Sequence, residues 1–511
     1  MPDVSIPVTG LSVNDPEPGE YVEINFAQGA ASSGGGLRPI LLLGNMSTAG
    51  DATPDTAIYG PPSPFAPVSP LPFDTEQDCI NRFGAGSELH RMWRRVRKVN
   101  TTTPLYAIAV TASSGVAATK TITVAVTATA NGSARCWLGD EFVDASITKG
   151  DTVTAIGLAI QNAYNSRSDW PVTALATAGA VALTAKVKGP RGNWIRASVN
   201  IIGTGVGTTS DTVAPAYLTS GATADSNVAA LATILDLRFY YIVSAAEDAT
   251  QFGALVSQLG TAALPTAGKR QRAFAASIDT LANAVTIATG INSARAEYVW
   301  LQECDWTPAE IAANNAAIYA LFEAGSPPRC NFSQFGFQDS DAALWNIRKP
   351  RSGHTPTRSD RVSALMNGIT PIGVLSNGQT YIDKRITTRC LNGSNQDFRI
   401  RDAHKVTVCD FFADDLIAKD AAQFNGKLIG NNTVPGQRLP GPKVVTPFNR
   451  KTAITKLVDD YDQMDLLQNA DQIKLAVLAN REPGTSSRIS ARVPLQVIDI
   501  LDQLSTQINQ V

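Results

Sequence analysis

Pro39-Ile40-Leu41-Leu42-Leu43-Gly44 (PILLLG) is an apolar run of strand length with no polar residue inside it. A strand apolar on both faces is one buried on both faces, as in a parallel sheet covered by helices. The same character returns at Pro104–Val110 (PLYAIAV), Phe239–Ser244 (FYYIVS), Ala273–Ser277 (AFAAS) and Glu297–Gln302 (EYVWLQ). Helical spacing fills the intervals. Phe73–Val99 is helical material, and Gln251–Gly260 sets Phe252, Leu255, Val256 and Leu259 on one face. Another helix runs through Leu281, Val285 and Ala288. Thr307-Pro308-Ala309-Glu310 is a capping box with proline in the first turn, opening a helix with Ile311, Ile318, Leu321 and Phe322. Repeated strand–helix alternation predicts a doubly wound, mostly parallel α/β body.

Outward from that body the character changes three times. Before it, Val22, Ile24 and Phe26 alternate with Tyr21, Glu23 and Asn25, the period-2 pattern of a half-buried strand. The following Ala27–Gly36, ending in Gly34, Gly35 and Gly36, is a slack tether by composition. Such a strand suits addition to the sheet edge of another molecule, or it is simply the first strand of its own domain. Between the second and third apolar runs, residues 111–225 are rich in Ala, Thr, Gly and Val, alternate at period 2 and break at Gly/Asn/Asp turns. One helix (Asp151–Tyr164) interrupts them, with Val153, Ile156, Ile160 and Tyr164 along a stripe. This predicts an α+β domain inserted into a loop of the parallel sheet. In the last third, Gly368–Val374 and Thr380–Ile386 read as a hairpin about Asn377-Gly378, and Thr446–Tyr461 as an amphipathic helix. Lys474–Ala479 and Arg488–Leu495 read as strands, Gln496–Leu504 as a short helix, and Ser505–Val511 as a polar tail.

Composition narrows the function. The chain has 511 residues, and 43 Lys+Arg against 45 Asp+Glu leave a formal charge of −2. That balance is wrong for a broad nucleic-acid surface, which needs a cationic excess. Only 17% of residues are charged, below the roughly 25% usual for soluble chains, and a neutral surface is easier to bury against copies of itself. No apolar run reaches the ~18 residues of a membrane helix, and the first residues have no basic and apolar segments of a signal peptide. Cys79, Cys136, Cys304, Cys330, Cys390 and Cys409 follow neither metal nor disulfide spacing.

A search for chemistry finds no H-E-x-x-H, C-x-x-C, G-x-S-x-G, P-loop or strand-following G-x-G-x-x-G. Gly84-Ala85-Gly86-Ser87 follows helical sequence and reads as a helix-terminus turn. His90, His354 and His404 are scattered, so neither a catalytic residue nor a cofactor or metal ligand is assigned. The basic run Arg91–Lys98 reads as a helix with Trp93 and Val96 inward; Arg91, Arg94 and Arg95 then face solvent, acidic side chains or a protein interface.

The order of features resembles the tail sheath proteins of contractile bacteriophages, in their Mu-like branch. The residues carrying the resemblance are Pro18-Gly19-x-Tyr21-Val22-Glu23, Pro39–Gly44, Phe83-Gly84 with Ser87 and Leu89, and Pro104-Leu105-Tyr106-Ala107. Towards the end they are Ile386-Thr387-Thr388, Val445-Thr446-Pro447 and Arg488. The chain departs from the pattern at Arg389 and in its very polar last strand. The resemblance implies a non-enzymatic subunit without cofactor that stacks as hexameric rings around a tail tube. Contraction of the rings would drive the tube through the bacterial envelope for DNA ejection. Implied partners are further copies of the chain, the tube protein, and the baseplate and tail terminator proteins, with neither nucleic acid nor membrane insertion. The implied location is the virion tail, assembled in the host cytoplasm. It also implies strand-exchanging arms at both termini: Tyr21, Val22, Glu23, Ile24 and Phe26 at one, Leu504, Thr506, Ile508 and Val511 at the other. The expected layout is residues 1–36 as arm and tether, 37–110 and 226–370 as the middle α/β domain, 111–225 as an outer insertion, and 371–511 as an α+β domain facing the tube. A bacteriocin-like injection particle shares this reading. A nucleotide-binding α/β enzyme would instead need a pocket at the carboxyl ends of the strands, and an adhesin would use the Thr/Ala-rich insertion.

Overall fold

The structure is a computed structural model and describes residues 38–61, 71–203, 205–206, 209, 216–323, 347, 349–350, 353–382, 384–433, 441–482 and 487–499. The expected arm residues Tyr21, Val22, Glu23, Ile24, Phe26, Leu504, Thr506, Ile508 and Val511 lie outside these, as do Gly34, Gly35 and Gly36.

The body opens with β1 (Ile40–Asn45), β2 (Ile58–Tyr59), α1 (Glu76–Phe83), α2 (Glu88–Val99) and β3 (Leu105–Val110). Thr75 and Asp78 cap α1 reciprocally, and Ser87 caps α2 by accepting the His90 N–H. The turn between the helices needs its glycines: Gly86 has φ +74, and a Cβ there would lie 2.3 Å from the Trp170 carbonyl oxygen.

The insertion follows, with β4 (Ala117–Thr123), β5 (Gly132–Leu138), β6 (Glu141–Ile147), α3 (Val153–Asn165), β7 (Val172–Thr177), β8 (Ala180–Lys188), β9 (Arg196–Ile202) and β10 (Ala216–Tyr217). It forms two antiparallel sheets, β10-β9-β5-β6 and β4-β8-β7. They enclose a core of their own that includes Cys136, Ile156, Ile160, Tyr164, Leu183 and Val199.

The body then resumes with α4 (Val228–Thr233), β11 (Tyr241–Ser244), α5 (Ala249–Ala262), β12 (Arg272–Ser277), α6 (Leu281–Ile291), β13 (Ala296–Trp300), α7 (Pro308–Glu323), β14 (Thr370–Val374) and β15 (Thr380–Ile382). All eight body strands join one sheet, in the order β15-β14-β13-β12-β11-β1-β3-β2. Six are mutually parallel, and only the edge strands β15 and β2 run antiparallel. The unbroken apolar runs have the expected cause. Ile40 and Leu42 pack with Met92, Val96 and Ile318 of α2 and α7 on one face, while Leu41 and Leu43 pack with Phe252, Leu255 and Ala284 of α5 and α6 on the other. Because β1 lies between β3 and β11, the sheet order reverses at the β1/β11 boundary.

The division expected at 370/371 falls inside β14, which hydrogen-bonds to β13 as part of the body sheet. Beyond β15, the helices Ala403–Phe424 and Pro447–Asp462 share a core of Val408, Phe412, Ile454, Leu457 and Tyr461. Two expectations fail here. Residues 474–479 are not one strand: a helix spans Ala470–Ala476, and a strand covers Leu478–Arg481. The reason is burial at Ala470, Ile473 and Val477, a helical stripe, with Leu475 left 82% exposed. The helix expected from Gln496 is also absent over the described residues, where Val497 instead bridges Leu467.

Leu41 and Leu42 are each fully buried on opposite faces of β1. Leu41→Ala and Leu42→Ala are each expected to lower unfolding free energy by about 2–5 kcal/mol, measured by denaturant titration. A cost near zero at either position would contradict a sheet covered on both faces.

Candidate functional site

In a doubly wound sheet, ligands bind beyond the carboxyl ends of the strands where strand order reverses. Here that crevice is filled by the protein's own insertion. Arg191, in the short 3-10 turn Pro190–Trp194, pairs with Glu88 at 3.3 Å and with Asp225, and donates to the side-chain carbonyl of Asn45. Asn45 ends β1, and its N–H donates to Glu88 Oε2 at 2.9 Å. Alongside, Trp194 Nε1–H donates to Oε1 of Glu247, just past β11, at 2.5 Å. The space left is about 40 Å³, lined by Glu88, Arg91, Arg191, Trp194, Glu247 and Pro308 among others. That accommodates water; a nucleotide needs several hundred Å³.

The electrostatics suit a closed joint. Burial works against the Arg191 charge, but Glu88, Asp225, Glu247 and Asp248 outweigh it and hold the guanidinium protonated. Burial raises the Glu88 carboxyl above its usual value against the pull of Arg191. Burial also pushes Glu247 up to about 7, despite its own backbone hydrogen bond, Arg191 and Trp194.

The α2 arginines extend the joint. Arg91 and Arg95 both grip Glu310, at 2.5 and 2.9 Å. The same carboxylate accepts from Thr307 N–H and Oγ1–H at 3.0 and 2.9 Å, so the capping box read from sequence is also an ion-pair hub. Burial alone would raise the Glu310 carboxyl, but Arg91, Arg95 and the Thr307 N–H bring it down to about 2. Arg95 lies 3.7 Å over the Trp306 ring and 3.6 Å from Asp140 of the insertion. Arg94 reaches Asp169 of the insertion at 2.8 Å and Glu76 at 3.4 Å. Arg196 of β9 meets Asp305 at 2.6 Å, and Trp306 Nε1–H donates to Asp140 at 3.1 Å. All three arginines singled out in the sequence thus find carboxylates of their own chain, and Trp93 and Val96 point inward.

The amino ends of the strands carry a second ionic seam. Arg295, Arg270 and Arg238, each near the start of a body strand, meet the Ala403–Phe424 helix. Arg295 pairs with Asp410, while Arg238 and Arg270 reach Asp414 at 2.7 and 3.3 Å. Arg272 of β12 donates to Thr407 Oγ1 at 3.0 Å, and the Arg38 guanidinium lies 3.4 Å over the Phe411 ring. Sequence reading did not find Arg191, Asp225, Glu247 or Asp410, and Asp414, which beside Asp415 reads from sequence as a solvated helix or loop charge, is instead paired with Arg238 and Arg270. Arg191 lies 34 residues from Asp225 and 146 from Asn45, so no local pattern marks the contact.

Among the described residues, no three His, Cys, Asp or Glu side chains could hold a metal, and no helix is long and apolar enough to cross a membrane. The five described cysteines are buried and form no disulfide.

No family model matches the chain. Over 176 residues it is 26% identical to the Mu-like prophage FluMu tail sheath protein of Haemophilus influenzae, a stretch covering 34% of each protein. The chain is a homologue of a tail sheath protein. The match spans about a third of that relative's length. Among solved structures, the chain is similar to the sheath tail protein of Desulfitobacterium hafniense, with 12% identity, TM-score 0.44 and coverage of 93% of this chain and 100% of that one. A sheath tail protein of Listeria innocua gives 10% identity, TM-score 0.45 and coverage of 91% and 96%. The contracted helical sheath of the anti-feeding prophage gives 10% identity, TM-score 0.45 and coverage of 98% and 100%.

The raised Glu247 carboxyl sets a pH dependence. Its stabilisation is complete below the ordinary value of 4.5 and is lost as pH rises towards about 7. Glu247→Gln keeps an acceptor for Trp194, so it is expected to be more stable than wild type at pH 8, by up to roughly 2 kcal/mol. Calorimetry at pH 8 and pH 4 should find this advantage only at the higher pH; equal offsets would show that Glu247 is not held neutral by burial.

Proposed function

We propose that the chain is the structural subunit of a contractile tail sheath, in a phage tail or a related injection particle. The observation that carries this is the 176-residue homology to the FluMu tail sheath protein. The filled crevice at the strand-order reversal supports it from another side, since the place where this fold type would bind a ligand is closed by Arg191 and Trp194. In this reading the subunits stack as hexameric rings around a tail tube, contact the baseplate and tail terminator, and contract without nucleotide hydrolysis. The work comes from the difference in interface free energy between two packings, multiplied over many copies.

The terminal segments supply the links between subunits. The Val22/Ile24/Phe26 strand adds to a neighbour's sheet, and Gly34, Gly35 and Gly36 leave slack while bodies move. Leu504, Thr506, Ile508 and Val511 act likewise at the other terminus. In the carboxyl-terminal unit, Leu478–Arg481 and Ile489–Arg492 form an antiparallel pair. Leu478 and Leu475 beside it are 47% and 82% exposed. The carboxyl-terminal unit would face the tube, and the insertion would lie outermost.

Purified full-length protein examined by electron microscopy is expected to form tubes of constant diameter, and deletion of residues 2–26 is expected to abolish them while leaving the far-ultraviolet circular dichroism spectrum unchanged. Long regular tubes from the truncated protein would refute the arm role. Replacing Gly34, Gly35 and Gly36 with proline should leave folded subunits that assemble poorly, and normal assembly would count against a slack tether.

A further inference from the structure

We propose that the insertion shuts one of its own sheet edges with two side-chain amides, Gln161 and Asn165, and so keeps strand β7 from pairing with other copies of the chain. β7 is the outer strand of the β4-β8-β7 sheet. Its sequence, VTALAT, is six residues with no charge and no proline. Segments of this kind stack readily on one another, and a bare edge strand is the usual starting point. The liability is increased by Leu175 on β7 and Leu158 on α3, which are 67% and 49% exposed.

Three of the bonds that an incoming strand would make to this edge are already made. Asn165 Oδ1 accepts the Ala174 N–H at 2.9 Å, and its Nδ2–H donates to the Ala174 carbonyl at 2.9 Å. One helical turn back, Gln161 Oε1 accepts the Ala176 N–H at 2.6 Å. Asn165 therefore bonds to the strand as a backbone amide would, with donor and acceptor on the same residue. The spacing has a simple geometric basis. Residues four apart on a helix rise about 6 Å, close to the roughly 6.7 Å between alternate residues of a strand. The stripe continues to Gly157, where a Cβ would lie 3.1 Å from the Gly179 Cα in the turn joining β7 to β8. Gly157, Gln161 and Asn165 thus form one i, i+4, i+8 row that lays α3 along the edge from Ala174 to the Gly179 turn.

The test is full-length protein carrying Gln161→Ala and Asn165→Ala together, substitutions that favour the helix itself. Hydrogen exchange resolved over residues 172–177 should show the Ala174 and Ala176 amides exchanging at least ~10-fold faster than in wild type. Thioflavin fluorescence and electron microscopy should show irregular β-rich aggregates beyond any regular assemblies the wild type forms. Ile160→Val, which loosens the same core without touching the edge, should not produce them. Adding Leu175→Lys to the double variant should suppress the aggregates without restoring exchange protection, because a charged edge strand resists stacking. The proposal is overturned if the Ala174 and Ala176 amides stay protected, or if the unprotected variant aggregates no more than Ile160→Val. Neither result bears on the sheath reading, which rests on the homology and on tube formation.

Discussion

The parallel sheet is covered by helices on both faces, and both of its ends are closed by buried arginine–carboxylate contacts. At the carboxyl ends, Arg191, which pairs with Asp225 of its own domain, crosses from the insertion to Glu88 and Asn45. At the amino ends, Arg295, Arg270 and Arg238 meet Asp410 and Asp414 of the Ala403–Phe424 helix. Buried ion pairs of this kind add little net stability over an apolar contact of the same shape, yet removing one partner costs about 3–5 kcal/mol because a charge is left stranded. They are therefore better suited to fixing how two units sit than to holding them folded. The folding itself falls to the apolar faces, where Ile40, Leu41, Leu42 and Leu43 are fully or almost fully buried.

This arrangement bears on how a subunit of a moving lattice could work. The insertion has its own core, but it is not a loose appendage, since Arg94, Arg95, Arg191 and Arg196 all make ionic contacts across its junction with the body. In the proposed sheath, body and insertion would travel together, and the freedom needed for contraction would reside in the segments joining one subunit to the next. An ionic joint with a titrating member such as Glu247 is also one whose firmness depends on pH. Controlling strand edges matters in such an assembly, because a protein that links its copies by adding strands must keep its other edges from joining in. The amides of α3 against β7 meet that requirement by local geometry alone.

Much of the fold was legible in the chain because it depends on short-range patterns. The runs beginning at Pro39, Pro104 and Ala273 have no alternation, and only burial on both faces explains that. The capping box at Thr307–Glu310 and the Asn377-Gly378 turn are likewise local chemistry. Residues 474–479 were misread because KLAVLA is apolar enough for strand or helix, and only the burial of Ala470, Ile473 and Val477 decides between them. The arginines of α2 were visible as a cluster, but their partners were not, since Glu310 lies 219 residues from Arg91 and Asp169 lies 75 from Arg94.

The sequence by itself determined the parallel α/β body, the separate character of residues 111–225 and the absence of linear catalytic motifs. These follow from composition and from periodicities of two and 3.6 residues, which the backbone imposes on neighbours along the chain. Only the tertiary structure decided that Arg191 fills the crevice, that Glu310 serves both as helix cap and as counter-ion, and that α3 covers the β7 edge. Each of these depends on side chains meeting across space with no fixed spacing between them, and nothing in a one-dimensional pattern encodes that meeting.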